Sequence, residues 1–221
     1  MSKYFVGYVN KGRMETVTDE QARKLTHLNI AFAPMVGDIT VMELEEAHIK
    51  ELNRIKKANP NLNILVSTGG GNNHGHGEAT RTPEGLMKLV ASTMDIVIRY
   101  DLDGIDCDWE FPGDTGIIEE KYQQTALFKA YRESLDELGE KTGRKYWLTT
   151  AAGSGQWYLD RTEIHTSHTY LDFINLMTYD SNTGGKITGH HTNLYEPAGD
   201  GIRPHSADYH IRLMVSAGVP I

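Results

Sequence analysis

The chain has 221 residues and a formal charge of −8, from 22 Lys plus Arg against 30 Asp plus Glu. With 39% hydrophobic and 24% charged residues, the composition is that of an ordinary globular protein and excludes a disordered or fibrous one. The acidic balance argues against a nucleic-acid surface, which needs clustered Lys and Arg, and no apolar stretch approaches the ~18–20 residues that cross a bilayer.

Short apolar runs alternate along the chain with amphipathic stretches. The runs are Tyr4–Val9, His27–Ala33, Asn63–Ser67, Gly104–Asp108, Trp147–Ala152 and Phe173–Met177. Each is too short for a typical helix, and several are rich in β-branched or aromatic residues, so each reads as a strand. Between them, Leu44, Ala47, Leu52 and Ile55 share a helical face before Pro60. Leu86, Val90, Met94 and Val97 repeat the helical spacing behind Pro83, a residue suited to a first turn. Leu127, Tyr131, Leu135 and Leu138 do the same, with Gly139 or Gly143 as the stop. A last helix is expected over Asp208–Ala217, ended by Gly218 and Pro220.

Strands that alternate with helices imply a parallel sheet with crossover helices, and apolar strands imply a sheet covered on both faces. A doubly wound sheet and a (β/α)8 barrel both satisfy this pattern. A doubly wound nucleotide binder should carry a Gly-rich phosphate turn. Gly7-Tyr8-Val9-Asn10 is not one, and Gly69-Gly70-Gly71 lacks the G-x-G-x-x-G spacing. No linker or low-complexity tract divides the chain, so one domain over residues 1–221 is expected. The single cysteine, Cys107, leaves no internal disulfide framework. Met1–Arg13 shows no basic region followed by an apolar core, so no signal peptide is read. His74-Gly75-His76 and His190-His191 lack the spacing of a metal site, and no metal or other cofactor is expected.

The densest chemical signal is Asp103-Gly104-Ile105-Asp106-Cys107-Asp108-Trp109-Glu110. On a strand, Asp106, Asp108 and Glu110 point to one face, while Cys107 and Trp109 point to the other. Three carboxyl groups so placed repel when ionised, so some must share a proton, pair with a cation or shift their pKa upward, an arrangement that suits an acid that stays protonated near neutrality. A divalent-cation site is the competing reading, but no phosphate-binding motif accompanies it.

Asp103–Glu110 resembles the D-x-x-D-x-D-x-E signature of glycoside hydrolase family 18, the chitinases and related endo-β-N-acetylglucosaminidases. Gly7-Tyr8 resembles the end of that family's first strand, and Ser67-Thr68-Gly69-Gly70 its S-x-G-G motif. Met177-Thr178-Tyr179-Asp180 resembles its M-x-Y-D motif, and His190-His191 with Leu194-Tyr195 the loop that follows.

The resemblance implies a (β/α)8 TIM barrel with its active site at the C-terminal ends of the strands. It implies a retaining hydrolase of chitin, chitooligosaccharide or another N-acetylglucosamine-containing glycan, in which the sugar's own acetamido group is the nucleophile. Glu110 is then the acid and base, Asp108 orients the acetamido group, Asp106 shares a proton with Asp108, and Tyr179 holds the acetamido oxygen. Tyr8 and Ser67 support the aspartates, and Met177 and Asp180 line the sugar site. Trp157, after the fifth strand, is placed to stack on a sugar. An endo-β-N-acetylglucosaminidase acting on N-glycans and a non-catalytic glycan-binding relative are the alternatives. The retained Glu110 favours an enzyme over a lectin.

Two departures from the family pattern stand out. Gly71 occupies a position where family chitinases often have Trp. The seventh and eighth strands have no counterpart before Ile221, so about six of eight βα units are expected against the ~250 residues of a typical barrel.

Overall fold

A computed structural model of the chain describes residues 3–71, 73–182, 188–196 and 205–221. Six parallel strands form the central sheet. They are β1 (Val6–Asn10), β2 (His27–Ala33), β5 (Asn63–Gly69), β6 (Gly104–Asp108), β7 (Trp147–Ala152) and β8 (Phe173–Leu176), side by side in that order. A two-stranded antiparallel ribbon, β3 (Met35–Val36) and β4 (Ile39–Thr40), follows β2. The sheet matches the six of eight strand–helix units of a barrel expected from the sequence, in chain order. Some boundaries move: the first strand spans Val6–Asn10 rather than Tyr4–Val9, the third runs on to Gly69, and the last stops at Leu176 rather than Met177.

Each crossover helix has a local cause. α1 (Asp19–Lys24) begins in a capping box in which Thr18 and Gln21 exchange hydrogen bonds. α2 (Glu46–Ala58) buries Leu52 and Ile55. Leu44 is buried but precedes this helix and Ala47 is exposed, so the expected four-residue face is only half realised. A short α3 (Gly75–Ala79) precedes α4 (Pro83–Arg99), where Thr82 caps the first turn and Pro83 occupies it. α5 (Glu120–Thr142) runs through Gly139 and stops at Gly143, whose φ of 72° is the left-handed cap that glycine supplies without strain. α6 (Gln156–Asp160) and α7 (Ile164–Ser167) follow β7, and α8 (Ala207–Ser216) follows β8. No helix among the described residues is long and apolar enough to cross a membrane.

The period-2 alternation sorts the strand residues into two environments. Ile64, Val66, Ile105, Cys107 and Leu148 face the helices and join a core with Leu89, Val97, Leu127, Phe128 and Tyr131. The opposite face is concave and polar. In register across it lie Ser67 beside Asp106 and Asp106 beside Thr149. The N-terminal ends of the strands are closed by an aromatic plug. Tyr4 stacks on Phe173 at 5.0 Å, and His27 meets the Trp147 ring edge-on at 4.5 Å. That plug leaves the carboxylates of β6 facing the opposite, C-terminal end.

Candidate active site

The site is built around Asp106, which is fully buried. Its Oδ2 accepts hydrogen bonds from the Tyr8 hydroxyl at 2.9 Å and from Ser67 Oγ at 2.8 Å. Its Oδ1 accepts from Thr149 Oγ1 at 2.5 Å and from Asn175 Nδ2 at 3.2 Å. The donors come from β1, β5, β7 and β8. The two edge strands therefore reach the same carboxylate although they are not paired with each other, which shows how strongly the sheet curls. Burial raises the Asp106 pKa, and its four hydrogen bonds oppose that rise.

Asp108 is also buried, but its Oδ1 has no hydrogen-bond partner. Burial, then the neighbouring Glu110 and Asp106, push its pKa up to about 8. Glu110 lies two residues past the end of β6 and is half-buried. Burial, then Asp180, raise its pKa as well. The predicted row of three carboxyl groups is thus two strand residues and one at the strand's mouth. Trp109 and Cys107 face away from them, as expected. Trp109 stacks on the buried His76 ring at 5.3 Å, and Thr68 Oγ1 lies 3.2 Å from His76 Nε2.

The glycines after β5 let the backbone approach this strand. Gly69 has φ of 96°, and a Cβ there would sit 2.3 Å from the Asp108 carbonyl oxygen. The Gly70 N–H donates to that same carbonyl at 2.9 Å. A Cβ on Gly71 would lie 3.3 Å from Glu110 Oε1, so a side chain at this position would press on the Glu110 carboxyl group.

Tyr179 is half-exposed, and burial followed by the charges of Asp108, Glu110 and Asp180 raises its hydroxyl pKa. Asp180 adopts φ of 58° and pairs with His191 Nε2 at 3.5 Å. Met177 and Trp157 stand apart from the hydrogen-bonded cluster. Met177 follows β8 and is held by its N–H on the Ala152 carbonyl. The Trp157 ring lies over Gly153 and Gly155 and meets Phe111, the residue after Glu110, edge-on at 4.9 Å. Among the described residues, no group of three or more His, Cys, Asp or Glu is arranged to hold a metal ion.

Three polar residues escaped the sequence reading. Thr149 and Asn175 complete the cradle of Asp106, and the buried Asn29 of β2 lies beside the Tyr8 hydroxyl. Each is a polar residue inside an apolar strand, at a concave-face position of the alternation. That interruption was the available signal.

The model for glycosyl hydrolases family 18 matches residues 3–221. The chain belongs to this family. Chitinase A1 of Niallia circulans is 36% identical over 160 residues, 68% of this chain and 23% of the relative. Chitotriosidase-1 of Mus musculus is 32% identical over 205 residues, 88% of this chain and 44% of the relative. A solved family 18 N-acetylglucosaminidase from Paenibacillus barengoltzii is 42% identical and superposes with a TM-score of 0.91, covering 99% of this chain and 66% of that one. The chain therefore spans about a quarter to two thirds of the length of these relatives.

Proposed function

We propose that this protein hydrolyses β-1,4 bonds between N-acetylglucosamine units in chitin or chitooligosaccharides, with retention and with assistance from the substrate. Glu110 gives its proton to the leaving glycosidic oxygen while the acetamido oxygen attacks C1 and forms a cyclic oxazolinium. Glu110, now a carboxylate, takes a proton from the water that reopens the ring. Asp108 accepts the acetamido N–H through a carboxyl oxygen and orients the group for attack on C1. Asp106 fixes Asp108's protonation, Tyr8 and Ser67 hold Asp106, and Tyr179 holds the acetamido oxygen. Met177 and Asp180 line the sugar site, and Trp157 offers a stacking face.

The observation that carries this reading is the gradation of the three carboxyl groups. Asp106 is saturated with donors, Asp108 keeps a buried oxygen without one, and Glu110 stands at the open mouth with its pKa raised. A protonated acid beside a group that orients the substrate is what the substrate-assisted reaction needs. The chitinases among the relatives support the substrate class. Glu110→Gln should lower the hydrolysis of chitooligosaccharides by about 10²–10⁴-fold. Undiminished turnover refutes the role of Glu110. Binding without turnover by the parent protein points instead to a lectin-like relative.

A second reading concerns product length. The 42%-identical structure is described as an N-acetylglucosaminidase, which favours release of single N-acetylglucosamine units. Product analysis on a chitin hexamer separates monomer release from internal cleavage, and the same assay on a high-mannose glycoprotein tests N-glycan cleavage.

A further inference from the structure

Asp106 is held by four donors, and the family-like sequence motifs contain only two of them. Tyr8 and Ser67 occupy Oδ2; Thr149 from β7 and Asn175 from β8 occupy Oδ1. Thr149 is itself fully buried. A carboxylate offers about four acceptor positions, so this cradle fills an ionised Asp106. The Asn175 amide nitrogen only donates, so a proton placed on Oδ1 would face a second donor, and a proton on Oδ2 would require the Ser67 or Tyr8 hydroxyl to turn from donor to acceptor. Asp108 is in the opposite position. Its buried Oδ1 has no donor, and an anionic oxygen left unpartnered in a buried site is far more costly than a neutral carboxyl.

We infer that Thr149 and Asn175 are positioning residues for this carboxylate pair: by donating to Asp106 Oδ1 they hold Asp106 ionised and keep the pair's single proton on Asp108. The inference rests on the proposed hydrolase reading, because it specifies the resting state of the group that meets the acetamido N–H. It also gives β8 a chemical task, since this edge strand delivers Asn175 to a carboxylate that belongs to β6.

The groups around Asp106 make the cradle decisive. Tyr8 is the titratable group facing it from β1, and Cys107 and Asp108 are the titratable neighbours on its own strand. β5, β7 and β8 present the neutral Ser67, Thr149 and Asn175. Asn29 of β2 is neutral and lies against Tyr8. Glu110 acts on Asp108, and Tyr179 feels the charges of Asp108, Glu110 and Asp180. Burial, the largest influence at Asp106, raises its pKa, the four hydrogen bonds oppose it by favouring the ionised form, and no cation is among the main influences. Losing one donor from an ionised group therefore shows directly in its titration.

The test is a ¹³Cγ NMR titration of Asp-labelled protein, run on the parent, Thr149→Val, Thr149→Ser and Asn175→Leu. In the parent, Asp106 should be ionised and Asp108 protonated near neutral pH. In Thr149→Val the lower midpoint of the pair should rise by about one pH unit, the size expected for one charge-assisted hydrogen bond. Thr149→Ser should restore the parent midpoint, and Asn175→Leu should move it upward in the same direction. The acid limb of kcat/KM should rise with the midpoint. A parent with Asp106 protonated and Asp108 ionised overturns the inference. So does an unmoved midpoint in the folded valine or leucine variant, or a serine variant shifted as far as the valine one. If Thr149→Val fails to fold, Asn175→Leu and Thr149→Ser decide. If the parent shows no hydrolysis, the hydrolase reading fails, and the NMR midpoints still decide the placement of the proton.

Discussion

Asp108→Asn should make the protein more stable, and the gain should grow with pH. Asp108 has its folded-state pKa raised from 3.8 to about 8 by burial, Glu110 and Asp106. Between those values the native state holds a proton that the unfolded chain has released. Stability therefore falls as pH rises through that window, and above it the ionised, buried carboxylate destabilises the fold in full. A rise of about four units corresponds to a ceiling of about 5–6 kcal/mol. Because the charges of Glu110 and Asp106 contribute to that rise and readjust when Asp108 is changed, the share released is smaller, on the order of 2 kcal/mol. For a chain of this size that is roughly 4–8 °C in Tm. Asparagine is neutral throughout and close to the same shape. Differential scanning calorimetry of parent and variant from about pH 4 to about pH 9 should give nearly coincident Tm values at the acid end and a steadily widening gap toward about pH 8. Parallel curves, or a variant less stable than the parent at alkaline pH, would refute the electrostatic reasoning.

The other predictions concern the walls of the site. Gly69→Ala forces a Cβ to within 2.3 Å of the Asp108 carbonyl oxygen at a φ of 96°; the cost should be roughly 2 kcal/mol or more, read as a lower urea midpoint, and a parent-like midpoint would contradict the close approach. Trp157→Ala removes an exposed ring lying over Gly153 and Gly155; KM for longer chitooligosaccharides should rise about tenfold, the equivalent of one lost aromatic contact, and an unchanged KM at every chain length would remove Trp157 from the substrate path.

Much of the architecture was legible because parallel strands covered by helices must be apolar. β2, β6 and β7 coincide with their apolar runs to the residue. Tyr4 and Phe5 resemble strand residues and start the first apolar run two residues ahead of β1; Tyr4 instead packs on Phe173 and His27. The ribbon β3–β4, two residues per strand, is too short to leave a periodic signal. At the site, the clustered carboxyl groups were legible because three acids at alternate positions in and just past one apolar strand are costly without a purpose. Thr149 and Asn175 were not. Thr149 sits beside Thr150, which bonds the Cys107 carbonyl on the strand's other side, and nothing local tells the two threonines apart. Only the register, which places Thr149 opposite Asp106, assigns the role. His76 shows the reverse case: the spacing of His74-Gly75-His76 gives this histidine no role, yet its ring is buried against Trp109.

The central claim is that the substrate's acetamido group, rather than an enzyme carboxylate or a directly attacking water, forms the first bond to C1. The most direct measurement is ¹H NMR of the anomeric region during the first moments of chitooligosaccharide hydrolysis, paired with the same substrate de-N-acetylated at the sugar that supplies C1. The account predicts that the new reducing end appears as the β-anomer and that the de-N-acetylated substrate is not cleaved. First appearance of the α-anomer, or cleavage of the substrate lacking the acetamido group at a comparable rate, would contradict it.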